Sequence, residues 1–133
     1  MLKRRSVNPW SWQDAFQFVQ ANELVGAGRV LLCSGQASLD EQARPLHVGD
    51  MRAQLEQAFD NLERVLAEGG MELGDVVRLT CYATDITAYR QASDVLRGRL
   101  ARAGCKTAFT LLGVTSLAYP ELLVELEATA VRE

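Results

Sequence analysis

Leu122-Leu123-Val124-Glu125-Leu126-Glu127-Ala128-Thr129-Ala130 alternates without a break. Leu122, Val124, Leu126 and Ala128 point to one side, and Leu123, Glu125, Glu127 and Thr129 to the other, which is the period of a half-buried β-strand. Its polar face carries two carboxylates, with Glu125 nearest the middle. Just upstream, Thr107-Ala108-Phe109-Thr110-Leu111-Leu112 reads as another strand and contains no cation. A carboxylate on a sheet face without a cationic partner is either solvated or waiting for a ligand.

Working back from this pair, the rest of the chain divides into helices and strands. Asp50 is a good N-cap for a helix running to about Glu68. Met51, Leu55, Ala58/Phe59, Leu62 and Val65/Leu66 keep a 3.6-residue period on it, and Gly69-Gly70 supplies the stop. Asp75 to Ala83 is β-branched and reads as a strand. Thr87 is expected to cap a second helix, with Tyr89, Ala92, Val95/Leu96 and Leu100 on one face and Gly104 as its stop. Residues 2–7 read as a short edge strand, and residues 16–25 as an apolar, irregular segment. Arg29 to Gln36 is a strand opening into Ser34-Gly35-Gln36. The glycine-containing connection at Gly26-Ala27-Gly28 predicts that these last two segments form a hairpin. Both helices sit in strand-helix-strand connections, so they should cover one face of a mixed sheet. The other face then needs a cover of its own, which predicts a homo-oligomer.

Composition narrows the classes. A chain of 133 residues, 48% hydrophobic and 23% charged, fits one domain spanning residues 1–133 with a sizeable core. The net charge of −3 calls for no polyanionic partner. Cys33, Cys81 and Cys105 form no CxxC pair and no disulfide framework, which favours a reducing, cytoplasmic setting. After Lys3-Arg4-Arg5 comes Asn8-Pro9-Trp10-Ser11-Trp12 in place of an apolar signal segment, and the longest apolar run, Val30 to Cys33, cannot span a bilayer. His47 is the only histidine, and no ligand spacing suggests a metal, so neither metal nor cofactor is expected. Arg97, Arg99, Arg102 and Lys106 cluster near a helix end, where they complement the dipole; without aromatic interleaving they make no case for nucleic acid.

Four segments taken together resemble a known family. They are Cys33-Ser34-Gly35-Gln36, Asp60-Asn61-Leu62 through Gly69-Gly70, Asp75-Val76-Val77-Arg78-Leu79-Thr80 through Thr84-Asp85, and Leu123 to Ala130. In this order and spacing they are similar to the RidA/YjgF family, also labelled endoribonuclease L-PSP, over roughly residues 16–131. The resemblance implies an α/β (α+β) chorismate-mutase-like fold, a mixed β-sheet with two helices on one face, assembled as a homotrimer with small-molecule ligands in the clefts between subunits. It also implies hydrolysis of the enamine and imine intermediates that pyridoxal-phosphate enzymes and amino-acid oxidases release, giving a keto acid and ammonia.

The same resemblance assigns roles residue by residue. Glu125 falls where the family's glutamate positions water. Ser34 and Gly35 match the turn that offers a hydroxyl and a backbone N–H to ligand, donors suited to a developing oxyanion. Phe18 stands where active members have a tyrosine, keeping an apolar wall and losing the hydroxyl. Phe109 stands where deaminating members have an arginine that grips the substrate carboxylate with two prongs. Losing such a contact costs about 2–5 kcal/mol. Leu111 replaces a small polar residue or cysteine. An anion clamp thereby becomes an apolar surface. Three functions are consistent with this pattern: an imine/enamine hydrolase of altered specificity, a non-catalytic trimer that binds a ligand or partner in the same cleft, and a ribonuclease or translation inhibitor as the older label says.

Overall fold

In the computed structural model, which describes residues 1–133, helix α1 (Met51–Glu68) starts where the Asp50 carboxylate accepts the Ala53 N–H at 3.0 Å. That bond satisfies one of the N–H groups a helix leaves free at its start. Met51, Leu55, Ala58, Phe59, Leu62 and Leu66 are buried along one side of α1, as their spacing requires. Gln54 is buried among them. Its side-chain amide donates to the carbonyls of His47 (3.2 Å) and Glu121 (2.9 Å), and its oxygen accepts the Leu123 N–H at 2.8 Å. A polar group can occupy that core position because all of its main hydrogen-bonding capacity is used.

Helix α2 (Ile86–Arg102) buries Tyr89, Ala92, Val95, Leu96 and Leu100. Its N-cap is Asp85, whose carboxylate accepts the Ala88 N–H at 3.0 Å. The expected cap, Thr87, lies inside the first turn, because Asp85 already sits at the spacing from Ala88 that a side-chain cap needs. The two helices are clamped by Arg99, only 13% exposed, which meets Glu56 (3.0 Å), Asp60 (2.8 Å) and Glu63 (2.6 Å) from α1. Its guanidinium also lies over the Phe59 ring at 5.3 Å.

Six strands complete the chain: β1 (Lys3–Val7), β2 (Ala21–Val25), β3 (Arg29–Ala37), β4 (Val76–Ala83), β5 (Ala108–Gly113) and β6 (Val124–Arg132). Four form a sheet in the order β3-β6-β4-β5, with β4 and β5 parallel and β6 antiparallel to both of its neighbours. Leu31, Cys33, Leu79, Cys81, Leu126 and Ala128 face the helices. Both helices therefore cover one face, as their connections require.

The expected hairpin between residues 16–25 and β3 does not form. β2 pairs with β1 instead, and β3 pairs with β6. The reason lies in two side chains that tie the β1–β2 ribbon elsewhere. Arg4 donates to the carbonyls of Gly74, Val76 and Lys106, and Asn22 donates to those of Val77 and Lys106. Val19 adds a parallel bridge to Ala108, which places the ribbon beyond the β5 edge.

The face turned away from the helices keeps apolar groups in the open. Leu32 is 78% exposed and Val30 58%. No helix is long and apolar enough to cross a membrane.

The capping assignment is directly testable. Asp85→Ala should lower the unfolding free energy by about 1 kcal/mol in urea denaturation, whereas Thr87→Ala should change it by a few tenths at most.

Candidate functional site

Glu125 lies near the start of β6, in register with Tyr82 of β4 on one side and Ala37 of β3 on the other. The strand alternation sends its carboxylate to the face without helices. There it makes no hydrogen bond within the protomer. Burial, and after it the charge of Glu127, pushes its pKa above the usual carboxylate value.

The β3–β6 register shifts between Cys33 and Gln36, so the ladder skips Ser34 and Gly35. Such a bulge re-aims local groups and leaves backbone unpaired. Gly35 backs directly onto the acid: a Cβ built there would collide with the Glu125 carboxylate. Ser34 and Gly35 are thus brought together with Glu125 on one face. Tyr82 and Arg78 share that face. Tyr82 donates to the Glu127 carboxylate at 2.9 Å, which together with burial raises the Tyr82 pKa. Arg78 donates to the Thr110 hydroxyl at 2.6 Å. Arg78 lies four positions before Tyr82 on β4, roughly 13 Å of strand, and its charge still acts on the Tyr82 hydroxyl.

Phe18, Phe109 and Leu111 lie elsewhere. In the β4–β5 register Phe109 pairs with Leu79 and Leu111 with Cys81, both of which face the helices. Within one protomer, then, these three do not share a surface with Glu125. They wall a pocket of about 230 Å³ between β5 and α2, together with Phe16 and Leu96. Its polar lining is Tyr89, Arg90, Ser93 and Arg97, all from α2. Phe18 packs against Phe109 with ring centroids 5.8 Å apart, and Trp12 meets Phe18 edge-on at 5.8 Å.

The basic cluster read near the end of α2 is dispersed by the fold. Arg99 is spent on the acids of α1, and Arg97 turns to the pocket. The three cysteines are buried and free; burial pushes the Cys81 thiol up to about 12 and Cys105 up to about 11, so both remain protonated core groups. No group of three or more His, Cys, Asp or Glu side chains is placed to hold a metal ion.

The family model described as Endoribonuclease L-PSP matches residues 13–132. The chain belongs to this family. Among solved structures, the Rid-family protein YyfB from Yersinia pestis superposes with a TM-score of 0.87 at 33% identity, covering 97% of this chain and 98% of that one. The protein DfrA of Myxococcus xanthus is 37% identical over 71 residues, 53% of this chain and 54% of its own length. A 2-iminobutanoate/2-iminopropanoate deaminase from Dermatophagoides farinae is 24% identical over 76 residues, 57% of this chain and 59% of its own. The mixed sheet with two helices on one face is the RidA/YjgF fold that the sequence implied.

The sequence reading of this L-PSP member missed Arg78 and Tyr82 as neighbours of the acidic face, and Arg90, Ser93 and Arg97 as pocket groups. The period of β4 contains the first signal, since Arg78, Thr80 and Tyr82 alternate with core residues. The i, i+4, i+8 spacing of Tyr89, Ser93 and Arg97 contains the second.

The raised pKa of Glu125 has a thermodynamic sign. The folded state binds this proton more tightly than the unfolded state, so ionised Glu125 subtracts stability once the pH exceeds the ordinary carboxylate range. Glu125→Gln should therefore raise the melting temperature at pH 7. The gain should shrink as pH falls through the raised pKa and vanish below about pH 4, where the carboxyl is protonated in both states. Thermal melts of both proteins across pH check this.

Proposed function

We propose that this RidA-family chain hydrolyses enamine or imine intermediates in a cleft completed by two copies of itself, with a specificity different from that of a small imino-acid deaminase. The observation that carries the reading is the Glu125 carboxylate: half-buried, without a hydrogen-bond partner, and set against Gly35 at a bulge. Ionised and of raised basicity, it is suited to take a proton from water as the water oxygen adds to the imine carbon. Ser34 and Gly35 offer the hydroxyl and N–H that hold the adduct. That proton then goes to nitrogen. The Glu125 carboxylate next takes the proton of the adduct's new hydroxyl and passes it to the amine, so that the C–N bond breaks, ammonia leaves and the oxygen remains as a carbonyl. Water is the only co-reactant.

Phe18, Phe109 and Leu111 form the apolar wall of the same cleft. Because they open on the other face of the sheet, one subunit contributes them and its neighbour contributes Glu125. A homotrimer supplies that arrangement, and the uncovered Val30 and Leu32 give it an apolar surface to bury. The similarity to the mite deaminase supports the chemistry. The unit at work is a single domain of residues 1–133 in a cytoplasmic setting. A second reading, a non-catalytic trimer that binds a ligand or partner in this cleft, draws support from Phe109, which stands on β5 where deaminating members have an arginine.

Keto-acid and ammonia formation should be followed with freshly generated imino acids bearing acidic, aliphatic and aromatic side chains. Turnover by the wild type, reduced at least about a hundredfold in Glu125→Gln, is the expected result. Silence with every imine, alongside ligand binding, would leave the second reading in place.

The assembly can be checked by light scattering. Leu32→Asp should convert a trimer to monomers at micromolar concentration and abolish turnover. A wild-type monomer under the same conditions would sink the shared-cleft model.

A further inference from the structure

Arg97 is half-buried at the edge of the pocket between β5 and α2, and its only side-chain hydrogen bond is to the Ser93 hydroxyl, 2.8 Å away. No carboxylate lies within ion-pairing distance of Arg97 or of Arg90 beside it. The nearest acid on the same helix, Asp94, is held by both prongs of Arg52 at 2.8 and 2.9 Å. Tyr89, 4% exposed, also lines the pocket, and its hydroxyl makes no hydrogen bond to the protein. Two guanidinium groups and two hydroxyls therefore converge on a space otherwise walled by three phenylalanines and two leucines. An apolar pocket with a few convergent polar groups is the usual form of a small-molecule site. About 150 Å³ of apolar cavity is enough for benzene, so 230 Å³ leaves room for a ring and a short acid chain.

We infer that this pocket takes a carboxylate carrying an aromatic side chain, with Arg97 as the anion-holding residue and Phe18 and Phe109 stacking on the ring. The guanidinium missing from β5 is replaced by one on α2. Its fork can donate to a carboxylate in two-pronged fashion while the bond it donates to Ser93 fixes its orientation. The substrate class is then an aromatic α-imino acid, in place of a small aliphatic one. That last step rests on the hydrolase reading; the binding of the anion does not.

The test separates the two. Phenylpyruvate, pyruvate and neutral 3-phenylpropanamide are titrated calorimetrically into the full-length wild type, Arg97→Gln and Phe109→Ala. Expected are tightest binding of phenylpyruvate by the wild type, at least a tenfold loss in Arg97→Gln, and no change there for the amide. Phe109→Ala should weaken phenylpyruvate more than pyruvate. No binding of phenylpyruvate by the wild type, equal binding by Arg97→Gln, or pyruvate bound as tightly as phenylpyruvate would each overturn the inference. Binding as expected without turnover of any imine would remove the hydrolase reading and keep the anion site. Turnover that Glu125→Gln abolishes, with KM unmoved in Arg97→Gln, would do the reverse.

Discussion

β6 is hydrogen-bonded along both of its edges, to β3 and to β4. This central position makes its two-residue period binding on the whole sheet. Val124, Leu126, Ala128 and Ala130 must meet the helices, so Glu125 and Glu127 must meet whatever occupies the other side. A slip of one residue would bring two carboxylates into the core and Leu126 out of it, at several kcal/mol for each unpaired charge. The location of the acid is therefore a by-product of core packing. The acid proposed as the base thus sits on a strand whose side-chain directions the fold cannot easily change.

Much of this was readable from the chain because it is local. The alternation at 124–130, the 3.6-residue pattern of α1 and the Asp50 cap each involve residues close in sequence. What escaped depends on distant partners. β2 leaves β3 for β1 because Arg4 and Asn22 find carbonyls 55 to 102 residues away, and no local turn signal encodes that. The placement of Phe109 illustrates the same limit more sharply. Its parity within β5 is plain from the sequence, but whether that parity matches Glu125 depends on the β4–β5 register, where one residue decides the face. Arg97 was obscured differently. Read among its neighbours it is one of several cations at a helix end, and only the packing of α2 against β5 distinguishes it from Arg99 two residues later.

The two arginines show how context divides one residue type. Arg99 is surrounded by Glu56, Asp60 and Glu63 and lies over Phe59, so burial, which works against its charge, is outweighed by the hydrogen bonds and fields of those acids. It is a structural rivet between the helices, and little of its charge reaches outward. Arg97 has a hydroxyl and no acid. The asymmetry leaves the outer side of the pocket positively biased although the chain as a whole carries −3, a local field set against the global one.

Gln54 gives the fold a further property. Its single amide holds the carbonyls of His47 and Glu121 and the N–H of Leu123, so the end of the loop before α1 and the entry to β6 are moored to one post. Neither segment can swing away alone without stranding a buried polar group, at a cost of about 1–3 kcal/mol. In the language of hydrogen exchange they belong to one cooperative opening unit. Fluctuations that would loosen the strand ahead of Glu125 are thereby coupled to release of a loop some 70 residues earlier, and the acid inherits the rigidity of helix α1 rather than the mobility of the connection that precedes it.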